Sequence, residues 1–135
     1  MMQVVVDANR VMSALLGGLA LQLLYDFRYQ FIIPERTTWE VKRYLPMLTG
    51  KSGVSESDLL LAFEQMPLEA VGDRHYMHRF PDVAQTGLRD PHDRDLVALA
   101  LERSAPIWSH DKDLHALTGI RALTDRDLST HTSGQ

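Results

Sequence analysis

The hydrophobic pattern of the chain alternates short apolar runs with longer segments of helical periodicity. The short runs predict strands at residues 3–6, 30–33, 67–71, 107–109 and 120–123. Helical patterns predict helices at residues 8–16, 19–27, 37–48, 58–66 and 91–102, an interrupted helical region at 73–87 and a last turn at 125–128. This order predicts an α/β fold, a three-layer α/β/α sandwich around a mainly parallel sheet of four or five strands.

The segment DPHDRDLVALALERSAPIWSHDKD, residues 90–113, predicts one helix that leads into a short strand, with carboxylates at both junctions. Six consecutive apolar residues, 96–101, leave the helix little solvent-facing surface, so it is expected in the core. Asp90 is suited to the N-cap position and Pro91 to the first helical position. Helical spacing places Asp93 over the apolar face and Asp95 on the more polar side, which makes Asp93 the expected inward carboxylate.

Other carboxylates follow the predicted strands. Asp7 comes directly after the first strand, and Asp111 and Asp113 come just after the strand at 107–109. The carboxyl ends of parallel strands meet at one edge of a sheet, where ligands commonly bind. Asn9 and Ser13, four residues apart on the first helix, are expected to point back towards Asp7. The pattern therefore indicates a polar site at this edge.

Helix capping is the preferred explanation of Asp90, Asp93 and Asp111 when each is taken alone, whereas for Asp7 capping and a ligand site are equally favoured. Asp7, Asp90 and Asp111 all stand where a helix is predicted to begin. Glu40 fits a capping box opened by Thr37, in which its carboxylate would accept the Thr37 amide.

Aromatic and basic side chains in the same regions have structural explanations too. Trp39 and Tyr44 are expected to pack in the core or an interface. His75 and His78 are expected on a solvated face rather than at zinc, because the chain has no cysteine and no HExxH pattern.

Length and composition favour one domain, residues 1–128, followed by a polar tail, 129–135, that is expected to be disordered. The absence of cysteine excludes disulfides and thiolate metal sites. The formal net charge is −4, which argues against a general nucleic-acid-coating protein, although acids gathered at a metal would be neutralised there. The start of the chain lacks a basic leader, and no apolar run reaches the roughly 18 residues that cross a bilayer. A cytoplasmic protein without a membrane segment is expected.

Three motifs together resemble a known family. They are VVVDAN with Ser13 four residues beyond Asn9, Glu40 opening a mid-chain helix, and an acid–helix–strand block that ends in PIWSHDKDL. This combination, which covers residues 4–123, resembles the PIN domain (PilT N-terminal), the fold of VapC-type toxin ribonucleases. By position, the resemblance implies a catalytic and metal-binding quartet of Asp7, Glu40, Asp93 and Asp111, supported by Asn9, Ser13, Asp90, Ser109 and Asp113. The family's usual Thr before the last acid is Ser109 here, and His110 departs from the pattern.

The resemblance implies a Mg²⁺- or Mn²⁺-dependent endoribonuclease that leaves a 5′-phosphate and a 3′-hydroxyl. Oxygen-only ligands suit these ions, and crowded carboxylates are tolerable only when cations separate them or protons are shared. The family likeness further implies an RNA substrate, a toxin–antitoxin pair with an antitoxin protein as partner, and a homodimer.

Two other classes of function are weighed against this one. The acidic balance and the lack of a basic stripe favour a catalytically inactive PIN-like domain that binds RNA or protein. A phosphate receiver fits poorly, because it needs an acidic pair after the first strand, where Ala8 and Asn9 stand.

Overall fold

A computed structural model describes residues 1–133 of the chain. The strands are β1 (Met2–Val6), β2 (Tyr29–Pro34), β3 (Leu68–Val71), β4 (Ile107–Trp108) and β5 (Ala122–Leu123). The helices are α1 (Ala8–Leu15), α2 (Gly18–Leu24), α3 (Glu35–Ser52), α4 (Glu56–Gln65), α5 (Phe80–Val83), α6 (Arg94–Arg103), α7 (Lys112–His115) and α8 (Asp125–Ser133). Short 3₁₀ turns cover Asp73–His75, Met77–Arg79 and Pro91–Asp93.

The five strands form one sheet in the order β3-β2-β1-β4-β5, and every neighbouring pair is parallel. β1 lies at the centre, with β2 on one side and β4 on the other. Because β1 is buried from both faces, its β-branched run Val4, Val5 and Val6 is apolar throughout rather than alternating. The predicted parallel α/β fold is confirmed.

Helices cover both faces of the sheet. Val4 and Val6 point into one core cluster with residues of α1 to α4 and α8. Val5 points into the other, which it shares with α6 and with Leu114 of α7. Successive side chains of a strand project to opposite faces, so one strand supplies both cores. The structure is therefore the predicted three-layer sandwich.

The central helix α6 is buried along most of its length. Residues 95–100 are all less than 9% exposed, as six consecutive apolar positions from 96 predict. Ser104 ends the helix in the left-handed conformation, with φ of 49°. The strand β4 follows after a short connection and pairs with β1, so α6 fixes where the carboxyl end of β4 lies.

The mid-chain helix α3 is longer than the sequence predicted. It begins at Glu35, with Pro34 at the N-cap position, and continues to Ser52, where Gly53 ends it with φ of 73°. Thr37 therefore lies inside the helix and the predicted capping box does not form. Trp39 is 79% exposed and Tyr44 is 45% exposed, so the expectation that they pack in the core is wrong.

Two other segments differ from the predicted elements. Residues 73–87 form 3₁₀ turns and the one-turn helix α5, because Pro81 and several short turns replace a continuous helix. The last helix does not stop at residue 128 but continues to Ser133, into the predicted tail, and residues 134–135 lie outside the described part. No helix within residues 1–133 is long and apolar enough to cross a membrane.

Candidate active site

The chain changes direction across the sheet between β1 and β4, and the candidate site lies at the carboxyl ends of these two strands. β1 connects onward to β2 on one side, whereas β4 and β5 lie on the other. Such a switch point leaves a crevice between the diverging connections, which is where open α/β sheets bind ligands. Asp7 follows β1 and Ser109 follows β4, and the Asp7 amide donates to the Trp108 carbonyl over 3.0 Å.

Asp7 is the most buried carboxylate of the predicted quartet, with 8% of its surface exposed. Although it stands at the N-cap position of α1, its side chain makes no capping hydrogen bond. Instead its Oδ2 accepts a 2.6 Å hydrogen bond from the Ser109 hydroxyl. Burial raises the pKa of Asp7, and the Ser109 hydrogen bond opposes part of that rise. The neighbouring strand end therefore supplies the strongest partner of this carboxylate, and the Asn9 and Ala8 amides of α1 contribute less.

Three acids of the quartet line one small pocket. Asp7, Glu40 and Asp93 form its walls, joined by Asp95. The remaining lining residues are Ala8, Pro34, Arg36, Thr37, His92 and Leu96. The structure thus brings together carboxylates, such as Asp7 and Asp93, that lie far apart in the sequence.

Asp93 is the carboxylate whose protonation is most strongly altered. It stands at the N-cap position of α6 but, like Asp7, makes no capping hydrogen bond. Burial first, and then the negative charges of Asp7, Asp90, Asp111 and Glu40, raise the pKa of Asp93 to about 7. The pocket therefore carries more negative charge than its own surroundings balance.

Glu40 reaches this pocket from α3 and faces a cation there. Its Oε1 lies 3.7 Å from Nε of Arg36, one helical turn earlier. Burial raises the pKa of Glu40, and the Arg36 charge is the largest influence in the opposite direction. Arg36 was not singled out from the sequence, although its spacing of four residues from Glu40 was a usable signal.

The fourth acid, Asp111, does not line this pocket, although its charge contributes to the raised pKa of Asp93. It is exposed and lines a neighbouring depression together with Asp7, Asn9 and Ser13. Its Oδ1 accepts the Asp113 amide over 2.9 Å, which makes it the cap of α7. Asp7 is the carboxylate shared by both depressions.

Ser109 connects the two strand ends. It is fully buried, and its hydroxyl accepts the Asp111 amide over 3.0 Å while donating to Asp7. Asp90 and Asp113 are exposed beside the site. Asp90 accepts the His92 amide over 2.9 Å, and this bond is the first cause of its lowered pKa. Capping therefore accounts for Asp90 and Asp111, but not for Asp7, Asp93 or Glu40.

The expected orientation of Asp95 is wrong. This residue is 8% exposed, and its Oδ2 accepts a 2.7 Å hydrogen bond from the Tyr76 hydroxyl. Tyr76 is itself 1% exposed, and burial, followed by the Asp95 hydrogen bond, raises its pKa. The helix face predicted to be polar is covered by the turns around residue 76, which helical spacing alone does not reveal. Asp93, expected inward, is partly exposed towards the pocket.

The carboxylates of the site are suitable ligands for a hard divalent cation, but their side chains do not point at one common position. Carboxylate oxygens are the ligands that Mg²⁺ and Mn²⁺ prefer, and the raised pKa of Asp93 indicates uncompensated negative charge. Among the side chains of residues 1–130, however, no three of His, Asp or Glu are arranged so that they hold a metal ion as they stand. Binding an ion would require these side chains to turn towards one another.

The family follows from a sequence match that spans nearly the whole chain. The PIN domain family profile matches residues 5–133. The chain belongs to the PIN domain family, as its motifs predicted. None of the curated protein sequences matches it.

Solved structures with a similar fold include two toxin–antitoxin complexes. One is VapBC2 from Rickettsia felis, bound to a DNA fragment from their promoter, with TM-score 0.62, 14% identity and coverage of 91% of this chain and 98% of that one. The other, from Klebsiella pneumoniae, has TM-score 0.67, 18% identity and coverage of 90% and 97%. At these identities the likeness is one of fold.

Proposed function

We propose that this protein is a metal-dependent endoribonuclease that hydrolyses RNA phosphodiester bonds. The observation that carries the proposal is the acidic pocket at the switch point of a PIN-domain sheet, which Asp7, Glu40 and Asp93 line together. Asp7, Glu40, Asp93 and Asp111 would hold Mg²⁺ or Mn²⁺. Such an ion, when bound, supplies an activated water and screens the charge that grows on the phosphate.

The chain's own residues have distinct parts in this proposal. Asp7 is held in place by Ser109, so its orientation is fixed before any ligand binds. Asp93 must lose its proton to act as a ligand, and its pKa of about 7 makes this loss sensitive to pH near neutrality. Asn9, Ser13, Asp90 and Asp113 are proposed to support the site from its rim.

The test is RNA cleavage by the D93N variant. We expect the wild-type protein to cleave RNA only with Mg²⁺ or Mn²⁺ and the variant to lose this activity while remaining folded, as checked by circular dichroism. The exposed acid Glu64 on α4 offers a matched control, and E64Q should cleave like the wild type. Undiminished cleavage by D93N would refute the assigned role.

A catalytically inactive PIN-like domain is the second candidate. It is favoured by the lack, among the residues described, of three side chains already arranged around one ion. A metal titration separates the two functions: saturable Mn²⁺ binding without turnover of transfer, messenger or ribosomal RNA would support a binding domain.

We further propose that the protein is a cytoplasmic toxin with an antitoxin partner, and that it forms a homodimer. The similar folds in two toxin–antitoxin complexes support the first part. Exposed apolar side chains on α3, among them Trp39 and Met47, leave surface suited to protein contacts. The reading frame next to the gene tests the pairing, and light scattering of the purified protein tests the dimer.

A further inference from the structure

Arg36 is a positive charge inside a pocket whose other ionisable walls are mostly acidic. It lines the same pocket as Asp7, Glu40 and Asp93. Its Nε lies 3.7 Å from Oε1 of Glu40, and both side chains are part-exposed, by 44% and 39%.

The positive charge of Arg36 is held in the pocket by a weak ion pair with Glu40. The guanidinium is the most basic side-chain group of proteins, so Arg36 brings a positive charge to the pocket. A partly exposed ion pair at this separation is weak, because solvent and salt screen it. Glu40 can therefore exchange this partner for a stronger one at little cost.

A divalent ion in the pocket would compete with Arg36 for the same carboxylate. The ion carries two positive charges, and it repels a guanidinium that stays close to it. The Glu40 carboxylate is directed at Arg36, so it would have to turn away from this partner to contact an ion in the pocket.

We propose that Arg36 is the internal counter-ion of the acidic pocket, and that Glu40 exchanges it for a divalent cation when the metal binds. The inference rests on the proposed metal-dependent function and adds a residue that competes with the metal. It predicts that Arg36 offsets part of the repulsion among the carboxylates of the metal-free pocket, at the expense of metal affinity.

The test is Mn²⁺ affinity measured by isothermal titration calorimetry at low salt. R36A should bind Mn²⁺ about two- to fivefold more tightly than the wild type, which is the effect expected from losing one part-exposed ion pair. R36K keeps the positive charge and should stay near the wild-type value. R43A removes an exposed arginine about 10.5 Å further along the same helix and should leave the affinity unchanged. Added salt should shrink the difference between R36A and the wild type.

A second measurement follows Arg36 directly. The NMR resonance of the Arg36 Nε–H group in the wild-type protein should shift as Mg²⁺ saturates the site, because the Glu40 carboxylate then turns away from Arg36. Urea unfolding of each variant checks that the fold is kept.

The possible outcomes separate this inference from the function on which it rests. Equal or weaker Mn²⁺ binding by R36A, or an Arg36 resonance that Mg²⁺ does not move, would overturn the counter-ion role alone. No Mn²⁺ binding by the wild type, R36A or R36K would remove the metal-dependent function itself. Tighter binding by R36A, with R36K and R43A unchanged, would support both.

Discussion

Replacing Asp93 with Asn should stabilise the metal-free protein, and the gain should grow with pH. The pKa of Asp93 is about 7 in the folded protein against an ordinary value of 3.8. The folded state therefore binds more protons than the unfolded chain between these two values. It follows that the contribution of Asp93 to the free energy of unfolding is fully present below pH 3.8 and is lost as pH rises to about 7.

The size of the effect follows from the same pKa difference. At about 1.36 kcal/mol per pH unit, the shift corresponds to a ceiling of about 4 kcal/mol. Asp93 is only about half buried, and solvent screening of such a group reduces the expected gain to about 1–2 kcal/mol. D93N should exceed the wild type by this amount at about pH 8 and by almost nothing at about pH 4.

Urea unfolding in EDTA, followed by the fluorescence of the buried Trp108, measures this difference. E64Q removes an exposed carboxylate that does not line the pocket and should show no pH-dependent gain. Mg²⁺ should narrow the gap, because an ion that binds only the folded wild type stabilises it. A difference between D93N and the wild type that is the same at both pH values would refute the reasoning.

Substitutions at three further positions test two hydrogen bonds and one strained backbone conformation. Y76F removes the hydroxyl that donates to the buried Asp95 over 2.7 Å, and should lower the free energy of unfolding by about 1–3 kcal/mol; a loss under about 0.5 kcal/mol would contradict a stabilising bond. S109A removes the donor to Asp7 and should reduce both the free energy of unfolding and the rate of RNA cleavage, whereas S109T keeps the hydroxyl and should retain most of the cleavage. Equal cleavage rates for S109A and S109T would show that this hydrogen bond does not orient the site. S104G relieves a left-handed backbone at φ of 49° and should raise the denaturation midpoint by an amount equivalent to about 0.5–1 kcal/mol, and a lowered midpoint would count against strain there.

The order of elements was predictable because the hydrophobic periods are local. The apolar runs at β1 and β4 and the buried pattern of α6 need no knowledge of distant residues, and parallel pairing follows from strands that alternate with helices. The boundaries of α3 were harder to predict from the sequence. Pro34 starts this helix from the end of a strand, so the Thr37 capping signal was present in the sequence but was overridden by the chain before it.

The candidate site was predictable only as a set of acids at strand ends. The rule that ligands bind beyond the carboxyl ends of parallel strands singled out Asp7 and Asp111, and helical spacing singled out Asp93. Which carboxylates act as caps could not be decided, since Asp7 and Asp111 both precede a helix. Ser109 decides between them, because its hydroxyl donates to Asp7 and accepts the Asp111 amide.

The sequence by itself determined the class of fold, the family and the acidic character of the site, because periodicity, turn residues and motif spacing are all properties of neighbouring positions. Only the tertiary structure decided which partner or depression each of those acids has. It placed Glu40 beside Arg36, buried Asp95 under Tyr76, and left Asp111 in a separate depression. These contacts depend on how α3, α6 and the turns around residue 76 pack against one sheet, and such packing is set by the shapes of surfaces that lie far apart in the chain.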